Sequence, residues 1–281
     1  MDYRKGYTIK PAEVTSTGEV LFTNGTQQVL ANQVVCEAYG YNFNVESGTC
    51  SAYRYNSLLN NRITNKNNKI NGQNNNTERN SNNLVIIGSS NTTKGNNTNI
   101  LITGERNEIQ TGINNSSIIA GSLANVVNQG EVVLGGGGFN NAVALSQQSF
   151  IQQSGKTTDA TETALLTQYL PLTYIQKVAN SVIGFEANVI GINYGGGLGE
   201  VGEYGYVQIT GAVVFTNGLA STYHQTLTHI VTAGHSGMNI SAAMKDVTAT
   251  SFGVHVTGLA ENNIQWTASI KLFQNKLTTT F

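Results

Sequence analysis

Charge is scarce in this 281-residue chain. Only 11% of its residues are Asp, Glu, Lys or Arg, against roughly a quarter in ordinary globular domains. The 15 basic and 16 acidic residues nearly cancel, leaving a net charge of −1. Such a field neither gathers phosphates nor holds an anionic lipid surface, so no nucleic acid or charged-membrane partner is expected. Proline is almost missing, with 2 residues beside 31 glycines, so the glycine excess is not that of a proline-rich linker. No apolar run approaches the roughly 18 residues of a spanning helix, and no membrane insertion is expected. The opening "MDYRKGYTIK" has basic residues without an apolar core behind them, so synthesis in the cytoplasm without an ordinary export signal is expected. Cysteine is limited to Cys36 and Cys50, which enclose 13 residues. A single pair without an export signal favours two packed thiols over a disulfide and leaves the choice open.

Chemistry-bearing constellations are equally thin. "GLGEVG" at 197–202 has the G-x-G-x-x-G spacing, but "EYGYVQITGAVVF" follows it and reads as a strand. A phosphate cradle needs a helix there, so a hairpin loop is expected instead. Glu200 and Glu203 form the one close acidic pair of this region, on a glycine-rich loop with nothing rigid to tune either carboxyl. His224, His229, His235 and His255 have no His, Cys or Asp partner at zinc spacing. His255 is expected on the exposed side of its strand. Ser236 beside His235 does not complete a nucleophile elbow. These readings predict no enzyme, no catalytic residue, no metal site and no cofactor.

A regular pattern is present from Asn82 to Gly138. Apolar triplets or quartets end at Gly88, Gly104, Gly121 and Gly135, spaced by 16, 17 and 14 residues. "NNKINGQNN", with Gly72 placed 16 residues before Gly88, reads as a degenerate earlier copy. Sixteen of the forty residues from Asn60 to Asn99 are asparagine. Because the triplets recur in phase, the stretch reads as a solenoid-like array and not as a disordered tract. Asparagine and glycine tolerate left-handed backbone and suit corners, so the four glycines are expected as turn residues. Burying about three aliphatic side chains per coil contributes roughly 6 kcal/mol, against roughly 20 kcal/mol or more for ordering about 16 residues. That deficit predicts a core shared between chains, most simply in a homotrimer; a dimer or a monomer capped by other regions also satisfies the arithmetic.

Upstream, 1–55 holds short strand-like pieces ("EVLFTNG", "QQVLANQVV") and the tyrosines of "CEAYGYNFNVESGTCSAYRYN". These suit either a small aromatic core around a hairpin or an attachment surface. Downstream, 145–159 reads as a connector, and "TETALLT" as a helical turn or a strand. From 160 to 281 come strands with period-two alternation. In "IQWTASIKLF", Trp266, Ala268, Ile270 and Leu272 point one way and Gln265, Thr267, Ser269 and Lys271 the other. Ten-residue strand spacing with glycine-rich turns predicts a β-sandwich or jelly roll.

Two resemblances follow from these residues. "LVIIGSSNTTKG", "ILITGERNEIQTG" and "SIIAGSLANVVNQG" resemble the head repeats of trimeric autotransporter adhesins, which implies a trimeric left-handed β-roll. Such adhesins also carry an export signal and a membrane barrel, neither of which is expected here. "ETALLT", "FEANVIGI", "GEYGYVQITGAVVF" and "VHVTGLAENNIQWTASIKLF" resemble a C-terminal domain of bacteriophage tail fibres and related virion proteins. That family's arginine pair is replaced here by "NYGGG" after the first long strand. Together the resemblances imply an all-β homotrimeric phage fibre or spike. In this reading 1–55 is the module that attaches to virion tail, collar or capsid proteins, 56–144 a shaft, and 160–281 a knob contacting a host surface glycan or protein. The chain would be made in the host cytoplasm and displayed on the virion. Tyr194, Tyr204 and Tyr223 are the candidate receptor contacts. A head or collar fibre, a depolymerase tailspike and a bacterial surface adhesin are the alternatives.

Overall fold

The computed structural model describes residues 8–15, 18–52, 67–139, 142–231 and 238–277. The chain divides into two compact units, Met1–Ile63 and Thr64–Phe281.

In the first unit, β1 (Lys10–Val14), β2 (Val20–Thr23) and β3 (Gln28–Val29) form an antiparallel sheet. The next residues, expected as strand, form helix α1 (Gln33–Ala38). The reason is local: Asn32 sits in extended backbone and its side chain accepts from the Val35 amide at 2.9 Å, which satisfies one free donor of the first turn. β4 (Asn42–Asn44) and β5 (Thr49–Ser51) make a hairpin. The expectation of two thiols is corrected, because Cys36 of α1 and Cys50 of β5 are disulfide-bonded. The helix turns Cys36 into the same small core that buries Cys50, Val20, Phe22 and Val35. Tyr39 and Tyr41 pack edge-on around Phe22, with ring centroids at 6.2 and 6.4 Å. Of the two readings of the tyrosine cluster, these two residues follow the core one; Tyr53 and Tyr55 lie outside the described residues.

The second unit starts with a β-solenoid of about four turns. Its strands are β6 (Lys69–Asn71), β7 (Asn76–Thr77), β8 (Asn82–Ser89), β9 (Thr92–Thr93), β10 (Thr98–Glu105), β11 (Glu108–Ile109), β12 (Asn114–Ser122), β13 (Asn125–Val126), β14 (Val132–Leu134) and β15 (Gly137–Phe139). β6, β8, β10, β12 and β14 stack as one parallel ladder, and β7, β9, β11 and β13 as a second. The triplets fall in register, with Ile86 beside Ile102 and Ile102 beside Ile118. The single 17-residue spacing is absorbed as a register shift between Ile102 and Gly104.

The glycines form a column along the ladder. A Cβ on Gly88 would lie 1.8 Å from the Gly104 carbonyl oxygen, and one on Gly104 would lie 2.0 Å from that of Gly121. Backbone therefore packs on backbone where each strand kinks at φ of +133° and +119°, a space no side chain fits. Gly135 is not in this column. Ser122 pairs with Gly137, so Gly136 stands opposite Gly121, and Gly135 occupies an open turn with nothing within 4 Å of its Cβ position. The last coil has lost one residue before that point.

Asparagines hold the coils together. Asn67, Asn83, Asn99 and Asn115 all adopt left-handed backbone and bond amide to amide from coil to coil at 3.1, 3.0 and 2.9 Å. A second row is internal. Asn91 and Asn107 are buried, and the Asn75, Asn91 and Asn107 side-chain oxygens accept from the backbone amides of Asn91, Asn107 and Ala124 at 3.0 to 3.1 Å. Ten aliphatic residues, including Leu84, Ile86, Ile102 and Ile118, close a core within the one chain. The chain's own coils bury these ten residues without a second copy. The arithmetic counted only apolar burial and left out the side-chain ladders that saturate the backbone.

The stretch 145–159, expected as a connector, is most of β16 (Ala142–Thr157). Its first half pairs antiparallel with β14 and β15, and Ser146 to Thr157 with β24 (Asn263–Lys276). β24 continues to β19 (Ser181–Gly195), β20 (Tyr204–Phe215) and β21 (Ser221–Val231), so solenoid and C-terminal region share one 11-stranded sheet. A second sheet of β17 (Glu162–Ala164), β18 (Ile175–Gln176), β22 (Ser241–Asp246) and β23 (Ser251–Thr257) covers its inner face. The two sheets make the expected sandwich. "TETALLT" resolves as strand, and "GLGEVG" as the hairpin loop between the paired β19 and β20. Trp266, Ala268, Ile270 and Leu272 are all buried. Two glutamines cross between the sheets. Gln153 accepts from the Val254 amide at 2.9 Å and donates to the Leu165 carbonyl at 3.0 Å. Gln225 accepts from the Met244 amide at 2.8 Å and donates to its carbonyl at 3.1 Å.

Candidate functional site

Residues that alternate toward the open face of the large sheet converge where β16 and β19 end and β20 and β24 begin. Ile192 pairs with Tyr204 across β19 and β20, and with Gln265 of β24, which in turn pairs with Lys156 of β16. Ile190, Ile192, Tyr194 and Tyr204 are each 40 to 47% exposed. Lys156 Nζ lies over the Tyr194 ring, 5.2 Å from its centroid, close enough for a cation–π attraction. The β19–β20 loop beside them carries exposed Leu198 and Val201, held by the Leu198 amide donating to the Glu261 carbonyl at 3.1 Å. A rigid sheet end thus presents aromatic, aliphatic and cationic groups together. Flat apolar rings and an ammonium suit stacking against, and hydrogen bonding to, a polar ring compound.

The structure brings two of the three candidate tyrosines together and separates the third. Tyr223 pairs with Val213 near the opposite end of the sheet, about nine residues or roughly 30 Å along the strands from Tyr204. Its hydroxyl donates to Asp246 at 2.6 Å, and its ring packs against the core. Burial first, and then Asp246, raise the Tyr223 phenol above its ordinary range. Asp246 also accepts from Ser221 at 2.9 Å and pairs with Lys177 at 2.8 Å. Burial would raise the Asp246 carboxyl, but bonds from Lys177, Tyr223 and Ser221 prevail and hold it low. Sequence reading missed this network because its members lie on β21, β22 and the β18–β19 connection, and no spacing rule links them.

His255 is half-buried, not exposed as expected. Its Nδ1 lies 3.9 Å from Glu162, which also pairs with Lys245, because β17 and β22 flank β23 on both sides. Burial lowers the His255 imidazole while Glu162 works against that shift. His224 lies on the outer face of β21 and His229 near its end, while Ser236 and His235 fall outside the described residues. Glu200 and Glu203 face each other only through backbone, the Glu203 amide donating to the Glu200 carbonyl at 3.2 Å. Among the described residues no three His, Cys, Asp or Glu groups gather as metal ligands, and no helix is long and apolar enough to cross a membrane.

No family model and no curated protein matches the chain. Three solved structures are similar to it at low identity. The Acinetobacter baumannii phage AM24 tailspike is 9% identical with a TM-score of 0.27, over 74% of this chain and 55% of that one. The tailspike gp49 of Acinetobacter baumannii bacteriophage Fri1, described as a capsular polysaccharide depolymerase, is 11% identical with a TM-score of 0.27, over 69% and 36%. The Acinetobacter phage vB_ApiP_P1 tailspike is 8% identical with a TM-score of 0.21, over 75% and 53%. The chain thus spans about a third to just over half of these proteins. Depolymerisation is an enzymatic activity, so the expectation that this chain is not an enzyme is withdrawn. That expectation weighed carboxylates by their separation along the sequence, whereas the fold sets Glu162 and Asp246 beside cations from distant strands.

Proposed function

We propose that the chain is a structural virion protein of a bacteriophage, a fibre or spike that attaches the particle to its host through the C-terminal sandwich. One observation carries this reading. The ladder of the solenoid runs unbroken through β14 and β16 into the sandwich sheet, so one stiff element carries the exposed aromatic end made by Tyr194 and Tyr204. The resemblance of the repeats and of the C-terminal strands to fibre proteins supports the same reading. The first unit, with its own disulfide-closed core, serves as the virion-attachment module, and a host surface polysaccharide is the ligand class that the aromatic end suits.

The chain works as a homotrimer in this proposal, for a reason other than a shared interior. The outer face of the solenoid ladder leaves Ile87, Leu101, Ile119 and Leu134 between 37 and 49% exposed in adjacent coils, scattered aliphatic surface on one face that a neighbouring copy would cover. Three copies multiply weak contacts into stable adsorption. Light scattering should give three times the 30.0 kDa chain mass; a 30.0 kDa species at micromolar concentration would refute the trimer. Incubation with host capsule should show binding that free capsule competes away, and failure to bind the surface of any host would remove the attachment role. The same incubation reads, from released oligosaccharides, whether binding leads to cleavage.

A further inference from the structure

One cleft in the second unit is not explained by the fold. It lies beside the far half of β16, where β14 no longer pairs and the chain at Leu166 makes a two-bond bridge to Ser154, each amide donating to the other's carbonyl at 2.9 Å. The cleft encloses about 580 Å³ and is lined by Ser154, Lys156, Thr163, Tyr169, Gln265 and the edge of Trp266, among others. That volume lies within the roughly 300–1,000 Å³ of small-ligand sites. Its lining contains one cation and no carboxylate, in a chain whose overall charge is −1. Lys156 is in no ion pair among the described residues, and the Gln265 amide and Ser154 hydroxyl are in no side-chain hydrogen bond there. Tyr169 stands 73% exposed on one wall. Lys156 reaches from the cleft toward Tyr194 on the open sheet face, so the two surfaces are continuous.

Each feature selects part of a ligand. An exposed phenol ring offers a face for the C–H side of a sugar ring. A hydroxyl and a carboxamide without partners suit a ligand rich in hydroxyl groups. An ammonium without a carboxylate, held at a fixed place by an aromatic ring, suits a negative group. Phosphate is disfavoured by the single cation and by the absence of a helix N-terminus. We propose that this cleft binds a carboxylate-bearing sugar unit of a host polysaccharide, with Lys156 on the carboxylate, Gln265 and Ser154 on ring hydroxyls, and Tyr169 stacked on the ring. The proposal deepens the attachment role and rests on it for the source of the sugar.

Trp266 is the only tryptophan in the chain and lies buried at the cleft's wall, so occupancy is followed by its fluorescence together with the heat of binding. The probes are oligosaccharides of hyaluronan, of polygalacturonate and of α2,8-linked sialic acid, each alongside its carboxyl-reduced form, titrated into the whole chain. At least one acidic probe should shift the emission saturably at millimolar concentration or below. Its carboxyl-reduced form should bind about tenfold or more weakly, the usual scale for a hydrogen bond to a charged group. Lys156→Met should weaken the acidic probe by a similar factor and leave the reduced form unchanged. Tyr169→Ala, at an exposed position that the fold does not need, should weaken both forms. Circular dichroism of both variants controls for folding. No response to any probe overturns the proposal, as does equal binding of acidic and reduced forms or an unaltered affinity in Lys156→Met. If host capsule binds Lys156→Met and Tyr169→Ala as well as the parent chain, the cleft is refuted while the attachment role stands. If the cleft binds its acidic probe but host capsule does not bind, the attachment role fails alone.

Discussion

The solenoid and the sandwich belong to one continuous sheet, yet they are held by opposite means. The sandwich buries 23 apolar residues between two sheets; Gln153 and Gln225 reach backbone groups on the facing sheet, and Ser221 and Tyr223 reach Asp246 at its edge. The solenoid buries ten and relies on asparagine rows that bond each coil to the next. Apolar burial rewards any arrangement that excludes water, so the sandwich tolerates exchange of one aliphatic for another. A side-chain ladder rewards one residue type at one place, because an amide alone supplies a donor and an acceptor at the spacing of adjacent strands. Specificity in the shaft is therefore polar, and in the knob it is a matter of shape.

The sharpest test of that contrast is Gly104→Ala. Its Cβ would lie 2.0 Å from the Gly121 oxygen, and the clash is with backbone on a fixed ladder, so a loss of more than about 4 kcal/mol or no folded protein is expected. Gly112→Ala is the control. Gly112 also has positive φ but nothing within 4 Å of its Cβ position, and should cost about 1–2 kcal/mol. Urea unfolding should be followed by circular dichroism and by Trp266 fluorescence, which reports on the knob. Coincident transitions are expected from the continuous ladder, and separate ones would break the link between the two regions.

Next in size are Asn107→Ala in the shaft and Gln153→Ala in the knob. Each leaves a buried backbone amide, of Ala124 or Val254, without its acceptor, so each should cost about 2–4 kcal/mol. Asn107→Leu should cost at least as much as Asn107→Ala. If leucine rescues the site, burial rather than hydrogen bonding holds the coils.

A smaller, pH-dependent effect is expected at the junction. Glu131 is buried; it accepts from the Val127 and Asn128 amides at 3.2 and 3.1 Å, and the Ser149 side chain of β16 is also a partner. Burial raises its carboxyl above 4.5 despite those bonds. The folded state therefore holds the proton more tightly than the unfolded chain. The stability this contributes is complete below the ordinary glutamate value and is lost as pH rises through the raised one. Glu131→Gln, which keeps an acceptor for the amides, should gain stability over the parent at neutral pH and lose that gain below pH 4.5. A constant difference across that range would refute the assignment. The smallest change is expected of Tyr223→Phe, which removes the bond to Asp246 at the knob's edge and should cost about 1 kcal/mol while leaving ligand binding intact.

Periodicity made both regions legible in advance, since the strands of the repeats and the inward side of β24 follow from spacing alone. The tyrosines were harder. Tyr194 and Tyr204 lie ten positions apart in the sequence and fall together because a hairpin folds between them. Tyr223 is of the same residue type in a similar strand, but its register turns it inward onto Asp246. Lys156 carried no signal at all, because it stood in a stretch that reads as a linker until β24 pairs with Ser146 to Thr157.

Local chemistry, written residue by residue, determined that this chain is β-structured, that its middle coils with a period near 16, and that asparagine and glycine form the corners. Each of those depends on neighbours within one turn. Only the tertiary structure decided that the coils close within one chain, that Cys36 meets Cys50, that a supposed connector is the spine between shaft and knob, and that a lone lysine stands over a cleft. These depend on which distant strands pair, and pairing is set by the sum of many weak contacts that no single stretch contains.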